Sequence, residues 1–358
     1  MTSLKKLVNT SSPIALSPMD GITDAAFRLT QCQIAKPDII FTEFVSAEGL
    51  AHNAVKLYDT LLYSSMEHPI VGQLFGKDPH SFYIAAVILC HLGFDGVDIN
   101  FGCPAKTVTQ HGSGASLIEK PQLASQIIKQ VQRAVMDFSQ NKISLKDLRL
   151  KGKVLKAIKR NQRYSGVETR LIASLQNINK KIIPTVSVKT RLGIDSDSSQ
   201  TWIPFLLEHN LDFLTLHGRT LKQAYTGHAD WEAISKCVEI AHKYKTPFFG
   251  NGDVTSHSQA LQYCQKYGVN GVLIGRAAMG NPWLFIDKKA NFKEKYEAML
   301  LHAKNFENIF PSRRFDSLRR HFLFYISGHP NAKKLRQQIV SLTDIDGLLS
   351  LESAITSC

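Results

Sequence analysis

Eight short apolar segments, separated by stretches long enough to form helices, most strongly constrain the fold of this 358-residue chain. The apolar segments are Ile14–Met19, Ile39–Phe44, Ile70–Phe75, Gly96–Phe101, Thr185–Thr190, Phe213–His217, Pro247–Asn251 and Val269–Gly275. Helical periodicity is found between them at Phe82–Leu92, Leu123–Val135, Trp202–Glu208, Trp231–His242 and Ser258–Lys266. Strands that alternate with helices pair in parallel, because a parallel crossover needs a helix to return the chain.

This alternation predicts an α/β protein built on a closed (β/α)8 TIM barrel. Near-continuous apolar strands are typical of a sheet that is buried on both faces. Eight strand–helix units in about 275 residues favour a closed barrel over an open doubly wound sheet. No Gly-x-Gly-x-x-Gly motif follows the first strand, which further weakens the open-sheet alternative.

Two segments lie outside the barrel pattern. After a barrel of residues 1–290, residues 291–358 carry helical patterns, clearest at Met299–Phe310 and Leu318–Ile326, which predict a small C-terminal helical domain. Residues 138–183 interrupt the barrel before its fifth strand, where an ordinary connection has only about 2–6 residues. We expect an inserted segment with a helix around Leu145–Ile158 that leaves the N-terminal face of the barrel, away from the chemistry.

The net charge of +13 is concentrated in these two segments. Residues 138–183 hold 12 basic and 2 acidic side chains, and residues 302–340 hold 8 basic and 2 acidic ones. The rest of the barrel is nearly neutral. Such basic segments indicate a polyanionic partner, with nucleic acid the first expectation. Two solvated, lysine-rich helical faces are the alternative that charge alone leaves open.

Composition also excludes several classes of protein. The longest apolar run, Tyr83–Cys90, is far shorter than the ~18 residues of a membrane span, and the N-terminus is a poor signal peptide. The six cysteines form no Cys-x-x-Cys pair and no cluster with histidine, which argues against structural zinc and a disulfide framework. We therefore expect a cytoplasmic protein without a metal or a membrane contact. We also expect a monomer.

Polar groups at all eight strand ends predict one functional site, since the chemistry of such barrels gathers at the C-terminal ends of the strands. Taken alone, a polar residue at a strand end is ordinarily part of a turn. The ends are Ser17-Pro18-Met19, Glu43, Gln73, Asn100-Phe101-Gly102-Cys103, Lys189-Thr190-Arg191, His217-Gly218-Arg219, Asn251-Gly252-Asp253 and Gly275-Arg276.

Cys103 is the candidate reactive group of this site. Pro104 follows it and disfavours helical backbone angles, so Cys103 should be extended just beyond the fourth strand. As a nucleophile it would need a base and a lowered pKa. As a proton donor it needs neither, because a thiol with the ordinary pKa of about 8.5 is protonated at pH 7.

The last two strand ends predict a phosphate site. Asn251-Gly252-Asp253 and Gly275-Arg276 place glycines and an arginine where barrels commonly bind a phosphate. A phosphorylated cofactor held there would lie across the barrel mouth, with Lys189 placing positive charge beside its ring. For Lys189 alone, a strand-end lysine that reaches solvent is the simpler interpretation.

These residues together resemble the tRNA-dihydrouridine synthases, and the bacterial B-type branch is most similar. The motifs are Ser17-Pro18-Met19 with Gly21-Ile22-Thr23-Asp24, Val71-Gly72-Gln73-Leu74, Asn100-Phe101-Gly102-Cys103-Pro104-Ala105-Lys106, Ser187-Val188-Lys189-Thr190-Arg191, His217-Gly218-Arg219-Thr220, Asn251-Gly252-Asp253 and Ile274-Gly275-Arg276-Ala277. Phe101 is a mild departure from the family pattern, and the insertion 138–183 is a large one.

The resemblance implies an FMN-dependent enzyme that reduces the C5–C6 bond of specific uridines in tRNA, with NADPH recharging the flavin. It maps the catalytic acid onto Cys103. It maps FMN contacts onto Ser17, Pro18, Met19, Gln73, Lys189, His217, Asn251, Gly252, Asp253, Gly275 and Arg276. It maps Asn100 onto the uracil edge, and we expect Lys106, Arg191, Arg219, Arg319 and Arg320 to contact the RNA substrate as well.

Two other functions remain open at this stage. One is an FMN-dependent barrel oxidoreductase that acts on a small pyrimidine-like metabolite, against which the basic C-terminal segment argues. The other is an RNA-binding protein that retains a disused barrel, against which the intact set of site residues argues.

Overall fold

The computed structural model describes residues 4–166 and 183–357, and its eight parallel strands form a closed barrel in chain order. The strands are β1 (Ile14–Leu16), β2 (Ile39–Ser46), β3 (Ile70–Phe75), β4 (Gly96–Phe101), β5 (Thr185–Arg191), β6 (Phe213–His217), β7 (Phe248–Asn251) and β8 (Gly271–Ile274). The predicted barrel is confirmed. The first and last strands are shorter than predicted, since β1 pairs with β8 only from Ile14 to Leu16.

Helices surround the barrel and follow its strands. Those of the barrel are α1 (Leu4–Thr10), α2 (Ala25–Ile34), α3 (Ala47–Ala51), α4 (Pro79–His91), α5 (Lys106–Thr109), α6 (Pro121–Ser139), α7 (Gly152–Ser165), α8 (Ser199–Leu207), α9 (Trp231–Tyr244) and α10 (His257–Tyr267). Single 3-10 turns lie at Val55–Asp59, Ser65–Glu67, Gly114–Glu119, Leu145–Leu148, Arg276–Ala278, Pro282–Ile286 and Phe315–Leu318. Within the described ranges, no helix is long and apolar enough to cross a membrane.

Local sequence signals explain where several of these helices begin. Asp78 accepts a hydrogen bond from the Ser81 amide, and Pro79 takes the first helical position of α4. Asp230 accepts from the Ala233 amide at the start of α9. Such side chains satisfy backbone N–H groups that the first helical turn leaves without a partner.

The N-terminal half of the barrel interior is filled by aromatic and aliphatic side chains. Phe213 packs against Phe41 and Phe249, with ring centroids 6.4 and 5.2 Å apart. Leu4 and Val8 of α1 belong to the same cluster and close that end of the barrel. This filling leaves the C-terminal ends of the strands as the open end.

The insertion contains a short 3-10 turn and a separate helix, α7, instead of one helix over Leu145–Ile158. A 3-10 turn ends at Leu148, Arg149 adopts a left-handed backbone conformation (φ 51°), and α7 begins at Gly152. A left-handed residue cannot continue a right-handed helix, which is the reason for the break. The remainder of the insertion, residues 167–182, lies outside the described residues.

A second hydrophobic core joins the C-terminal helices to α2. These helices are α11 (Phe292–Ile309), α12 (Arg319–Tyr325), α13 (Ala332–Ile339), α14 (Ile345–Leu349) and α15 (Glu352–Thr356). Ala25 and Leu29 of α2 cluster with Met299 and Phe306 of α11. The Asn305 side-chain amide also donates to Thr30 Oγ1 at 2.9 Å. The C-terminal helices therefore sit directly on the helix that follows β1.

A fully buried ion pair ties α2 to the chain that enters β3. Arg28 Nε lies 2.6 Å from Glu67 Oε2, and neither side chain is exposed. The same guanidinium donates to the carbonyls of Thr23 and Leu62. Burial raises the pKa of the Glu67 carboxyl, and Arg28 opposes that rise.

Arg28→Met should lower the free energy of unfolding by about 3–5 kcal/mol, because it leaves a buried carboxyl group without its partner. Without Arg28, the pKa of Glu67 in the folded protein lies above its unfolded value. The unfolded chain then releases a proton that the folded chain holds, so the loss should be larger at pH 8 than at pH 5. Urea denaturation at both pH values measures it.

Arg133→Met is the matched control, since the Arg133 side chain is exposed where it pairs with Asp137 at 3.5 Å. It should cost less than about 1 kcal/mol at either pH. Equal losses for the two variants would contradict a structural role for the buried pair.

Candidate active site

The open end of the barrel holds a cavity of about 1030 Å³, at the upper end of the range for ligand pockets. Residues from all eight strand ends or the loops after them come together there. The predicted residues that line it are Ser17, Pro18, Met19, Gln73, Asn100, Cys103, Lys189, Arg191, His217, Asn251, Gly252, Asp253, Gly275 and Arg276.

Four of the predicted substrate-binding residues do not line this cavity. Lys106 is exposed at the start of α5, immediately after cavity residue Ala105. Arg219 is buried behind the wall, and Arg319 and Arg320 belong to the C-terminal helices. Sequence reasoning missed the cavity residues Asp20, Phe44, Tyr225 and Met279. Tyr225 and Asp20 lie in loops directly after strand ends, a position that could have indicated them.

The side chain of Asn100 shapes the turn that presents Cys103. Asn100 Oδ1 accepts hydrogen bonds from the backbone amides of Gly102 and Cys103, at 2.9 and 2.8 Å. Its Nδ2 donates to Gln73 Oε1 at 2.9 Å. The side-chain carbonyl of Asn100 thus binds groups of the protein itself, and one N–H of its side-chain amide is left for a ligand. This geometry assigns Asn100 a positioning role in addition to the substrate contact predicted for it.

A buried carboxyl group supports this arrangement from below. Asp98 accepts from Gln73 Nε2 at 2.7 Å and from Ser187 Oγ at 2.6 Å. Burial raises the pKa of Asp98 to about 6, and these two hydrogen bonds and the charge of Lys189 limit the rise. The chain Asp98–Gln73–Asn100 therefore fixes the side chains of β3 and β4 relative to the Cys103 turn.

The Cys103 thiol is held in its neutral form. Its side chain is buried, and burial raises its pKa above the ordinary value. The Ala105 amide, Arg191 and Lys189 oppose this rise, whereas Asp20 adds to it. A nucleophilic or metal-binding cysteine needs a thiolate, whereas a protonated thiol can donate a proton. Of the two roles left open by the sequence, the surroundings of Cys103 favour the proton donor.

Lys189 and Arg191 make the inner wall of the cavity electropositive, and His217 lies beside them. Burial and the nearby Arg191 lower the pKa of Lys189 to about 7, while Asp98 opposes that shift. Among the described residues, none forms a hydrogen bond or an ion pair with the Lys189 ammonium group. Burial and the surrounding cations also lower the pKa of His217 well below its usual range, so its imidazole is neutral.

A cluster of charges around Asp253 forms part of the cavity wall just after β7 and β8. Arg219 Nη2 donates to both Asp253 carboxylate oxygens, at 2.9 and 2.6 Å, and Arg276 Nη2 lies 3.1 Å from Asp253 Oδ1. Burial would raise the pKa of Asp253, but the Ala229 amide and the two guanidinium groups together lower it. Arg219 therefore positions Asp253 and, through it, Arg276, which remains half exposed at the cavity.

Glycines bring bare backbone to this part of the cavity. A Cβ on Gly275 would lie 3.5 Å from Met19 Sδ and 3.7 Å from Ser17 Cβ, in the space that the cavity occupies. Gly252 has φ +131°, and a Cβ there would come within 2.5 Å of Ala229. Exposed backbone beside an arginine suits an anionic group such as a phosphate. These residues therefore fit a phosphorylated ligand whose phosphate lies near Arg276.

Arg191 joins the Cys103 turn to the loop after β6. Arg191 Nε donates to the Gly102 carbonyl at 2.7 Å, and its Nη1 donates to the carbonyls of Thr220 and Ala224. Tyr225, the next residue, places its ring under the Arg276 guanidinium at 5.4 Å. The predicted substrate contact Arg191 thus also holds one rim of the cavity in place.

The two arginines predicted on α12 have different surroundings. Arg319 donates through Nε and Nη2 to the Leu342 carbonyl at 2.9 and 2.7 Å, which links α12 to the chain after α13. Arg320 is exposed and packs against Gly21, next to cavity residue Asp20. Burial raises the pKa of Asp20, and Arg320 opposes the rise. Arg320 therefore lies at the cavity mouth, whereas Arg319 stabilises the C-terminal helices.

Among the residues that the structure describes, no group of His, Cys, Asp and Glu side chains could hold a metal ion.

Among solved structures, DHODH from Eimeria tenella in complex with ferulenol is 12% identical, with a TM-score of 0.47 over 76% of this chain and 78% of that one.

Comparison with known proteins identifies the family. A probable tRNA-dihydrouridine synthase of Staphylococcus aureus (strain N315) is 29% identical over 92% of this chain and 89% of its own length. Probable tRNA-dihydrouridine synthase 2 of Bacillus subtilis (strain 168) is 27% identical over 94% of this chain and 91% of its own. The family model of the dihydrouridine synthases matches residues 15–168 and 167–357. The resemblance drawn from the motifs is confirmed, and the chain belongs to the dihydrouridine synthase family of oxidoreductases.

Proposed function

We propose that this enzyme reduces the C5–C6 double bond of specific uridines in tRNA, using FMN that NADPH re-reduces. The observation that carries the proposal is a neutral thiol, Cys103, fixed in a cavity whose other walls suit an anionic, phosphorylated cofactor. The family to which the chain belongs supports uridine in tRNA as the substrate.

The cavity residues divide between cofactor and substrate. Arg276 with Gly275 and Gly252 would hold the FMN phosphate, and Lys189 and His217 would face the ring system from β5 and β6. When bound and reduced, FMN supplies a hydride to C6 of the uracil. Lys189 then offsets the negative charge that a reduced flavin carries.

Cys103 completes the reduction by donating a proton to C5. The hydride and the proton together saturate the double bond, and the resulting thiolate regains a proton from solvent. The Asn100–Gln73–Asp98 chain holds Cys103 in place, so the donor does not have to be reoriented at each turnover. General acid catalysis of this kind contributes about 10²–10⁴-fold to a rate.

RNA, as opposed to a small pyrimidine, is the substrate that the C-terminal helices favour. Residues 291–358 would form an RNA-binding domain beside the cavity, with Arg320 at its mouth next to Asp20. A uridine inside folded RNA must leave its stack to enter such a cavity. Phosphate contacts from Arg320 would fix the RNA backbone while the base is extruded.

Cys103→Ala should still bind FMN and oxidise NADPH, but should form dihydrouridine in tRNA about 10²–10⁴-fold more slowly, because the proton donor is lost. The measurement combines NADPH oxidation with mass spectrometry of digested tRNA that initially lacks dihydrouridine. Free uridine is run beside tRNA to test the small-metabolite alternative.

Cys264→Ala is the control, since Cys264 is buried in α10 away from the cavity. It should behave as the wild type. Wild-type dihydrouridine formation by Cys103→Ala would rule out the acid role. A wild type that reduces free uridine as well as it reduces tRNA would favour the metabolite enzyme.

Lys189→Met should weaken FMN binding by about 10-fold or more, since hydrogen bonds to charged groups contribute about 1.5–3 kcal/mol. The ratio of wild-type to variant affinity should be greatest below pH 7. There the free enzyme already carries a protonated Lys189, whereas above its pKa of about 7 binding must take up a proton. Flavin fluorescence titrations across pH 6–9 measure the ratio.

Comparing the two proteins at each pH cancels the titration of the FMN phosphate itself. Lys243→Met, on the exposed surface of α9, should match the wild type throughout. A pH-independent ratio would show that Lys189 does not contact the cofactor as a cation.

Arg320→Gln should weaken tRNA binding and reduce the salt dependence of that binding by about one phosphate contact, a change of about 0.9 in the log–log slope. FMN binding should not change, because Arg320 does not line the cavity. Fluorescence anisotropy with labelled tRNA measures both quantities. An unchanged slope would remove Arg320 from the RNA interface.

A further inference from the structure

Helix α7 of the insertion carries only positive charges. Between Gly152 and Ser165 the sequence contains five basic residues and no acidic one, and all five are exposed. These residues, which we call the α7 basic face, are Lys153, Lys156, Lys159, Arg160 and Arg163.

This arrangement destabilises α7 as an isolated helix. Lys156 has a like-charged neighbour three residues away on either side, and Arg160 lies four residues beyond it. Like charges at these spacings repel across a helix face, and Lys153 in the first turn opposes the helix dipole. A merely solvated helix would gain from alternating charge signs. Because α7 has no acidic residues of its own, an anionic partner would offset this repulsion.

The α7 basic face is also held in a fixed position on the barrel. Val154, Ala157 and Ile158 are buried on the opposite side of the helix. Asn161 Nδ2 donates to the Tyr58 carbonyl at 2.7 Å, and Gln162 Nε2 donates to the His91 carbonyl at 2.8 Å. Binding through a fixed surface loses less conformational freedom than binding through a flexible one.

A single carboxylate joins this face to the C-terminal helices. Asp59 Oδ1 lies 2.8 Å from Arg160 Nη2, and its Oδ2 lies 3.8 Å from Arg313 Nη2. Arg313 also stacks on Phe310 at 3.8 Å, at the end of α11. Within the described residues the insertion lines no part of the cavity, but Asp59 links it to the C-terminal segment that bears Arg320. The two basic segments of the sequence are therefore neighbours in space.

We propose that the α7 basic face is a second RNA-binding surface, which contacts phosphates of the same tRNA that delivers a uridine to the cavity. The inference rests on the proposed function. Arg160 on α7 and Arg313 share the carboxylate of Asp59, and Arg313 precedes Arg320 by seven residues in the same basic segment of the chain. A folded RNA extends far beyond the single nucleotide in the cavity, and its closely spaced phosphates match a surface of one sign. The link through Asp59 to the C-terminal segment that bears Arg320 favours RNA over an acidic protein or an anionic membrane.

The test replaces Lys153, Lys156 and Lys159 together by Gln in the full-length protein loaded with FMN. Arg160 is kept, so the contact with Asp59 remains. tRNA affinity is measured by anisotropy at several salt concentrations. Loss of three phosphate contacts should lower the magnitude of the log–log slope by about 2–3. FMN content and NADPH oxidation should not change, and far-UV circular dichroism verifies folding.

The matched control replaces Lys236, Lys243 and Lys245 by Gln. These exposed lysines lie on or just after α9, which follows β6 on the opposite side of the barrel from the contacts of α7. The same change in net charge is made there, so a general electrostatic effect would appear equally in both variants. Equal slopes for the two variants would overturn the inference.

The outcomes also separate this inference from the proposed function. A wild-type slope in the α7 variant, together with normal dihydrouridine formation, would refute the second surface and leave the proposed function standing. A wild-type protein that neither binds tRNA nor forms dihydrouridine would refute the proposed function and this inference with it. A wild-type slope for tRNA combined with lost binding to anionic vesicles would assign the face to a membrane and overturn the inference.

Discussion

Closure of the barrel between its first and last strands is the constraint on which the cavity depends. β1 contributes only Ile14–Leu16 to this closure, paired with Val272–Ile274 of β8, and Ser17 continues it through a 2.8 Å hydrogen bond to the Ile274 carbonyl. The pairing brings Ser17 and Met19 beside Gly275, so that residues some 250 positions apart form one wall. β4 and β5 provide the opposite wall with Cys103 and Lys189.

The sequence was sufficient to predict the barrel and most of the cavity, because both follow from periodicity and from strand ends. A strand that runs from apolar into polar residues has only one end at which a barrel can place a site. For this reason all eleven residues expected to bind FMN do line the cavity. The contact of each with FMN stays a prediction.

Partners distant in sequence explain what could not be predicted. The sequence indicates that Arg219 is a cation at a strand end, but in the structure its guanidinium binds Asp253, 34 residues away. Arg319 and Arg320 are adjacent in the same basic segment, but only Arg319 meets the Leu342 carbonyl. The uracil contact of Asn100 stays a prediction, and the sequence did not indicate that its side-chain carbonyl also holds the Cys103 turn. Periodicity and charge count do not reveal which acceptor a side chain finds in the folded chain.

Electrostatics connects the cavity to the function proposed for it. Burial, together with the nearby Arg191, Lys189, Arg219 and Arg276, keeps the imidazole of His217 neutral. Asp253 pairs with Arg219 and Arg276, and Asp98 partly offsets the charge of Lys189. Burial and the repulsion of neighbouring cations make the charged forms of Lys189 and Arg191 unfavourable when no anionic ligand is present. A phosphorylated cofactor would relieve that repulsion, and the same positive surroundings would stabilise a reduced, negatively charged ring. Cys103 stays protonated beside these cations because burial raises its pKa by more than they lower it. One cavity can therefore favour an anionic cofactor and still keep a proton on its acid.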